Sequence, residues 1–469
     1  MAFSSMPFLC VFLPAGYLLY CLMPSLRAKN ALLVALSLLF YAYGEPVYVF
    51  LMIVCVFWNY LLVQAFAGRS EKSKKALLAA GVLLNLGMLF FYKYTGMLLE
   101  TLGFLTGRAF PAVQIRLPIG ISFFTFQALS YVIDVYRGKA EAEKSFGKVL
   151  LYISFFPQLI AGPIVKYTDI AQQLGDRQQS ASKTAQGLRR FILGLSKKVL
   201  ISNTMGVAAD YVYALPAAEI GMAAAWTGAV AYMMQIYFDF SGYSDMAIGL
   251  GKMFGFTIRE NFDHPYLASS IQDFWRRWHI SLTNWFREYL YIPLGGNRKG
   301  KTRTWINRLI VFFCTGLWHG ANWTFVLWGL FHGLFLALET VFGKKGEKKK
   351  TAWIGHFYVL LVVCVGFVLF RSDDLGQAGR MLAAMFAGAK GGAAVTAAAM
   401  APLNGLFWAA LAAAAVCCLP VTEWVLCQSN ARLRSFWRPF SYAASVLLLL
   451  LCLFSLSGGT YNPFIYFRF

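Results

Sequence analysis

The chain has 469 residues, of which 59% are apolar and only 13% are charged, and its formal net charge is +21. Soluble proteins carry roughly 25% charged residues. This composition, with a mean hydropathy of +0.57, therefore excludes a soluble globular protein and indicates a polytopic membrane protein. The lysines and arginines stand in short segments between apolar stretches, as the positive-inside rule describes, so the charge does not indicate nucleic-acid binding.

Apolar stretches follow one another along the whole chain. Their lengths predict about eleven full membrane crossings, no separate soluble domain and no repeat, so we expect one all-α membrane-embedded domain over residues 1–469. Some of the thirteen apolar stretches are too short or too interrupted by Gly and Pro to cross fully. The stretches are 8–24, 30–43, 46–67, 76–93, 117–136, 148–165, 189–212, 222–250, 305–318, 322–342, 353–371, 404–426 and 438–457.

The basic segments predict the orientation. The segments expected to face the cytoplasm are 26–29, 68–75, 188–198, 344–350 and 432–438. Counting spans from them puts both termini outside the cytoplasm. The first apolar stretch lacks a small-residue cleavage site and is predicted to be a retained span. The nine cysteines show no Cys-x-x-Cys spacing, so neither a metal site nor a disulfide framework is predicted.

The segment 254–306 differs from the rest, because no window in it is apolar enough to cross although it is rich in aromatic residues. We expect interfacial or re-entrant helices here, since irregular backbone at membrane depth must be buried in protein or face water. One helix is predicted over 271–290, with His279 on its aromatic face and Asp273 paired with Arg277 at i,i+4. From the residues alone, a packed core histidine explains His279 more simply than a catalytic one.

A second histidine lies in "GLWHGANWTFVLWGLFHG". Glycines on both sides of His319 predict a break or a close backbone approach, and Asn322 is predicted to cap the helix that follows. Ionisable groups at membrane depth are functional candidates, and a neutral imidazole there can act as a general base on a hydroxyl. His332, further along, is interpreted as a packing residue.

Polar side chains in "QIYFDFSGYSDMAIG" match no cation-binding loop and predict a hydrogen-bond network that lines a passage. The arginines of 274–296 are interpreted either as contacts to an anionic carrier or oxyanion or as interfacial anchors. The candidate tunnel and substrate contacts are Trp275, Arg276, Arg277, Trp278, Asp239, Ser241, Tyr243, Asp245, Asn322 and Trp323.

Long stretches carry a family resemblance. They are "FWRRWHISLTNWFREYLYIPLGGNRKG", "LWHGANWTFVLWG", "LPIGISFFTFQALSYVIDVYRG", "FFPQLIAGPIVKY" and "YFDFSGYSDMAIGLGKMFG". Together they resemble the membrane-bound O-acyltransferase family, in its bacterial branch of alginate O-acetylation proteins. The resemblance implies a ring of transmembrane helices around a thinned centre with a tunnel, His319 as the catalytic residue and His279 as its companion.

The resemblance also implies the reaction and its setting. Acetyl-CoA on the cytosolic side is expected to donate the acetyl group, with no bound cofactor. Hydroxyls of an exported polysaccharide are expected to accept it in the bacterial cytoplasmic membrane, through a periplasmic or cell-surface acetyltransferase partner. D-alanyl transfer to teichoic acid and peptidoglycan O-acetylation are alternatives. A transporter or flippase is an alternative of another class, but the paired discontinuous helices typical of transporters are not found in the sequence.

The C-terminal tail, 459–469, ends in "FIYFRF". It resembles a terminal signature of bacterial envelope acylation systems in which a tyrosine is proposed to carry the acyl group, and Tyr466 is the matching residue. We therefore expect Tyr466 as a possible acyl relay that would need a base to become a nucleophile. A hydrophobic plug or a partner-docking tail is the alternative.

Overall fold

The computed structural model describes residues 1–111, 115–216, 219–342, 352–387, 403–421, 431–459 and 461–465. These residues form helices and no β-strand, which confirms the all-α prediction. The chain divides into two compact units, the first formed by 1–191 and 244–259 and the second by 192–243 and 260–469.

The helices follow one another with short connections, and single π-helical turns interrupt them at Phe8–Phe12, Lys197–Ser202 and Arg287–Tyr291. In chain order they are α1 Leu13–Leu22, α2 Leu26–Ala42, α3 Tyr48–Gln64, α4 Glu71–Thr106, α5 Ile121–Tyr136, α6 Phe146–Ser154, α7 Phe156–Leu159, α8 Tyr167–Gly175, α9 Ala181–Ser196, α10 Asn203–Ala214, α11 Met222–Met253, α12 Ile271–Arg277, α13 Ile280–Phe286, α14 Gly300–His319, α15 Trp323–Phe342, α16 Ala352–Arg371, α17 Leu375–Ala387, α18 Gly405–Cys417 and α19 Ala431–Ser457.

Local sequence signals explain where several helices begin and end. The side chains of Ser25, Ser70, Ser270 and Asn404 each accept a backbone N–H of the first turn that follows them. These contacts satisfy donors that have no partner within the helix. The long helix α4 ends at Gly107, whose φ of 65° is left-handed, a conformation that glycine adopts without steric cost.

In the part of the chain that the structure describes, four helices are long and apolar enough to cross a membrane: Glu71–Thr106, Trp323–Thr340, Trp353–Arg371 and Pro439–Ser457. Shorter apolar helices occupy Phe8–Leu22, Tyr48–Gln64, Ile121–Tyr136 and Gly405–Cys417. The chain is therefore a multi-pass membrane protein. The count of about eleven crossings is not confirmed.

In the second unit, α14 and α15 form a closely packed pair of helices. A Cβ on Gly316 would lie 2.4 Å from the carbonyl oxygen of Phe325, and a Cβ on Gly329 would lie 2.2 Å from that of Phe312. Small residues let helix backbones approach closely in membrane proteins. The glycine predicted to mark a close approach beside His319 does so, and it fixes the end of α14 against α15.

Candidate active site

His319 is the last residue of α14. The backbone is extended at Gly320, and α15 begins at Trp323, which confirms the predicted break between two apolar helices. The Oδ1 atom of Asn322 accepts the backbone N–H of Thr324 at 3.0 Å, as predicted for a helix cap. His319 is therefore presented at a helix end.

The contacts of the His319 ring define its tautomer. Its Nδ1 lies 2.7 Å from the carbonyl oxygen of Thr315, one turn earlier in α14. A carbonyl oxygen only accepts, so Nδ1 carries the hydrogen and the lone pair is on Nε2. His319 is 6% exposed, and the centroid of the Trp328 ring lies 4.9 Å from that of the imidazole. The Nε2 of this imidazole is thus a proton acceptor in an apolar setting.

His279 lies at a break between two short helices, so the predicted continuous helix over 271–290 is wrong. Helix α12 ends at Arg277 and α13 begins at Ile280. The backbone of His279 is left-handed, with φ 45° and ψ 53°, which costs a side-chain-bearing residue about 1–2 kcal/mol. Such conformations persist only where the surroundings impose them.

Asn261 imposes this break, and sequence reasoning missed it. Its backbone carbonyl accepts the N–H of Ile280 at 2.9 Å. Its Oδ1 accepts the N–H and the hydroxyl of Ser281 at 3.1 and 2.8 Å, and the Nδ1 of His279 lies 3.3 Å from it. These bonds join segments distant in sequence, so no local pattern around Asn261 announces them.

Asn261 also orients the His279 ring. Because Oδ1 only accepts, Nδ1 of His279 carries the hydrogen and its Nε2 carries the lone pair. That Nε2 is buried and has no hydrogen-bond partner among the described residues. Burial lowers the pKa of His279 well below its ordinary value, and the neighbouring His319 lowers it further. The ring packs edge-on against Phe240 at 4.6 Å.

The structure brings the two predicted histidines together, with ring centroids 6.4 Å apart. His319 lines a small cavity with a volume of about 20 Å³, which is room for about one water molecule. Its wall is otherwise aromatic and aliphatic, and it consists of Ile236, Phe240, Trp278, Trp328, Phe367, Phe370 and Ile465. Of the predicted contacts, Trp278 is the one that lines this cavity.

The described end of the tail reaches the same cavity through Ile465. The backbone N–H of Ile465 donates to Oδ2 of Asp239 at 3.0 Å, and the other oxygen of Asp239 pairs with Lys198 at 2.6 Å. The ring of Tyr243 packs against Phe464 at 4.9 Å. Two predicted passage residues, Asp239 and Tyr243, thus contact the tail. Tyr466 lies outside the described residues.

Lys198 corrects the sequence interpretation of the basic segment 188–198. From the sequence alone, Lys198 is grouped with the charges predicted to face the cytoplasm. Its side chain is instead 2% exposed and forms an ion pair with Asp239. It belongs to the π-helical turn Lys197–Ser202, a distortion that often marks functional positions.

The arginines of segment 274–296 do not line the cavity. Arg276 is exposed. Arg277 is paired with Asp273 at 3.1 Å, which confirms the predicted i,i+4 pair, and it lies 3.5 Å from Asp263. These contacts hold the end of α12.

Trp275 lies in an aromatic cluster with Trp328 and His332, at 5.8 and 5.3 Å between ring centroids. His332 is fully buried, and neither ring nitrogen has a hydrogen-bond partner among the described residues. This agrees with its interpretation as a packing residue. Trp275 therefore packs against Trp328, which lines the cavity, without lining the cavity itself.

The remaining candidates lie elsewhere. Ser241 is buried in α11, and Trp323 is 47% exposed at the start of α15. Asp245 belongs to the first unit, where Arg190 binds one of its oxygens at 2.6 Å through a terminal nitrogen. None of the three lines the cavity.

The fold and site define a multi-pass helical membrane protein with a buried histidine pair. The model of the membrane-bound O-acyltransferase family matches residues 142–372. A probable alginate O-acetylase AlgI of Pseudomonas putida is 39% identical over the full length of both chains. A peptidoglycan O-acetyltransferase of Helicobacter pylori is 35% identical over 82% of this chain and 79% of that one. A teichoic acid D-alanyltransferase of Bacillus subtilis is 27% identical over 54% and 68%. The chain belongs to the membrane-bound O-acyltransferase family and is an acyltransferase.

Proposed function

We propose that this acyltransferase moves an acetyl group from acetyl-CoA on the cytosolic side toward hydroxyls of an exported, alginate-like polysaccharide. It would work in the bacterial cytoplasmic membrane, with both termini outside the cytoplasm, and an extracytoplasmic acetyltransferase would complete the transfer. The observation that carries the proposal is the His319 ring, whose Nδ1 is held by the Thr315 carbonyl while the ring lines a buried cavity.

In the proposed reaction, Nε2 of His319 takes the proton of the attacking hydroxyl. The hydroxyl oxygen bonds to the thioester carbonyl carbon, the carbon–sulfur bond breaks, and the proton passes to the departing thiolate. A positioned general base contributes roughly 10²–10⁴-fold to such a step. His279 also presents a lone pair on Nε2, so it would accept a hydrogen bond and orient the hydroxyl or the protonated His319.

The small size of the cavity favours a short acyl group over a long one. Its space of about 20 Å³ is bounded by Phe240, Trp278, Phe367 and Phe370, and well-packed aromatic walls give way only at a cost. The names of the P. putida and H. pylori relatives describe O-acetylation of polymers, in line with a two-carbon group.

The proposal is tested in cells that lack their own copy of the gene. Cells given the His319→Ala variant should release polysaccharide with at least about 100-fold less ester-linked acetate than wild type, at equal membrane levels of the protein. His356→Ala is the matched control, because His356 lies on α16 and does not line the cavity. Unchanged acetate in the His319→Ala strain would refute the assignment of the base, and D-alanine esters in place of acetate would reassign the donor.

A further inference from the structure

The C-terminal segment 461–465 contacts other parts of the second unit through every one of its residues. The hydroxyl of Tyr461 donates to the carboxylate of Asp210. The side-chain nitrogen of Asn203 donates to the side-chain oxygen of Asn462 at 3.2 Å, and Lys198 donates to the Pro463 carbonyl. Lys198 also stands 5.1 Å from the Phe464 ring, and the Ile465 N–H donates to Asp239. The segment is therefore held along its length.

Helix α10 is shaped to receive this segment. A Cβ on Gly206 would lie 2.9 Å from a ring carbon of Tyr461 and 2.5 Å from the side-chain nitrogen of Gln235. A larger residue would force both side chains to move. The tail thus fits against α10 because Gly206 has no side chain at that point.

The pair of Lys198 and Asp239 is the centre of the attachment. Both side chains are almost fully buried, at 2% and 1% exposure, and burial of two charges is favourable only when further hydrogen bonds satisfy them. The tail supplies one such bond to each partner: the Pro463 carbonyl accepts from the ammonium group, and the Ile465 N–H donates to the carboxylate. The tail therefore satisfies hydrogen bonds of the buried ion pair, and the ion pair holds the tail in place.

We propose that Lys198 and Asp239 are positioning residues that hold the tail as one wall of the His319 cavity, and that this wall keeps water from the acyl donor. The second half rests on the proposed function. Without the wall that Ile465 forms, water would enter. Its oxygen would bond to the thioester carbonyl carbon, and the carbon–sulfur bond would break. One proton of the water would pass to the departing thiolate and the other to solvent, so acetate and free thiol would form instead of an ester.

The first experiment reads the position of the tail without any activity. A photoreactive phenylalanine analogue at position 464 should cross-link to the peptide that contains Tyr243, because the native rings are 4.9 Å apart. Ile465→Pro removes the N–H that Asp239 accepts and should reduce the cross-link several-fold. Ile465→Ala removes most of the side chain but keeps that N–H, so it should retain the cross-link.

A double exchange separates tail holding from ion pairing. Lys198→Asp with Asp239→Lys restores two opposite charges but places a carboxylate against the Pro463 carbonyl and an ammonium group against the Ile465 N–H. The cross-link should be lost in the double exchange and kept in Lys198→Arg. Retention in both the double exchange and Ile465→Pro would overturn the proposal that the pair holds the tail.

The second experiment measures acetate released from acetyl-CoA by the purified full chain in liposomes without a polysaccharide acceptor. The double exchange and Ile465→Pro should raise this release several-fold over wild type and over Lys198→Arg, while transfer to polysaccharide in cells falls. Loss of the cross-link with unchanged acetate release would overturn the water-barrier half. If no variant and no wild type consumed acetyl-CoA, the proposed donor and the water-barrier half would both fail, and the cross-link would still decide the positioning half.

Discussion

The ring of His319 at the end of α14 lies 6.4 Å from the ring of His279 at the break between α12 and α13. Each ring has its Nδ1 hydrogen directed at a protein oxygen, from Thr315 in one case and Asn261 in the other. Both rings therefore carry their lone pair on Nε2. We propose that these two oriented proton acceptors, of which His319 lines the small cavity, form the chemical core of this acyltransferase.

The left-handed backbone of His279 gives a prediction that separates chemistry from stability. His279→Gly and His279→Ala both remove the ring, and both should reduce acetylation to a similar degree. Glycine adopts φ 45° without the clash that alanine meets, so the glycine variant should be more stable than the alanine variant by about 1 kcal/mol. Thermal unfolding in detergent measures the difference, and an alanine variant of equal or greater stability would contradict the assigned strain.

The close contact at Gly316 should link helix packing to activity. A Cβ there would meet the Phe325 carbonyl oxygen at 2.4 Å, so Gly316→Ala should separate α14 from α15 at a cost of about 1–3 kcal/mol and displace His319. Thermal unfolding and acetylation should fall together.

Gly379 is the matched control for this substitution. It lies in α17, and a Cβ there would meet nothing within 4 Å. Gly379→Ala should leave activity unchanged and change stability by no more than about 1 kcal/mol. An inactive Gly379→Ala variant, or a fully active and stable Gly316→Ala variant, would remove the packing argument.

The aromatic wall should set the size of the acyl group. Phe367→Leu shortens one wall residue of the cavity, so transfer from propionyl-CoA should rise relative to transfer from acetyl-CoA. Phe386→Leu, at a residue that is 59% exposed on α17, is the control and should leave the ratio as in wild type. The two donors are compared in competition by mass spectrometry of the product, and an unchanged ratio in Phe367→Leu would place the acyl group elsewhere.

The relay proposed for Tyr466 is tested by trapping. In the wild type, intact-peptide mass spectrometry after a short incubation with acetyl-CoA should show one added acetyl group on the C-terminal peptide. Tyr466→Phe, which loses only the hydroxyl, should show none and should lose transfer to polysaccharide. Full transfer by Tyr466→Phe would mean that the acyl group passes directly between donor and acceptor.

The amino-acid sequence alone was enough to predict the class of protein and the helix break beside His319. A water-soluble fold cannot bury so many long apolar stretches separated by short basic segments, so composition alone indicated a multi-pass membrane protein. Glycines around His319 and the cap at Asn322 act within a few residues, and the structure confirms the break that they predicted. Such short-range signals can be read directly from the order of residues.

Features that depend on residues far apart in sequence became visible only in the folded chain. The break at His279 follows from hydrogen bonds to Asn261, and without that partner the segment looked like one helix. Lys198 looked like a solvated charge, since only the fold brings Asp239 and the Pro463 carbonyl to it. The cavity wall combines residues of α11, α15, α16 and the tail. Burial and pairing across the fold change the role of a residue without changing its local sequence, and therefore only the packed chain reveals them.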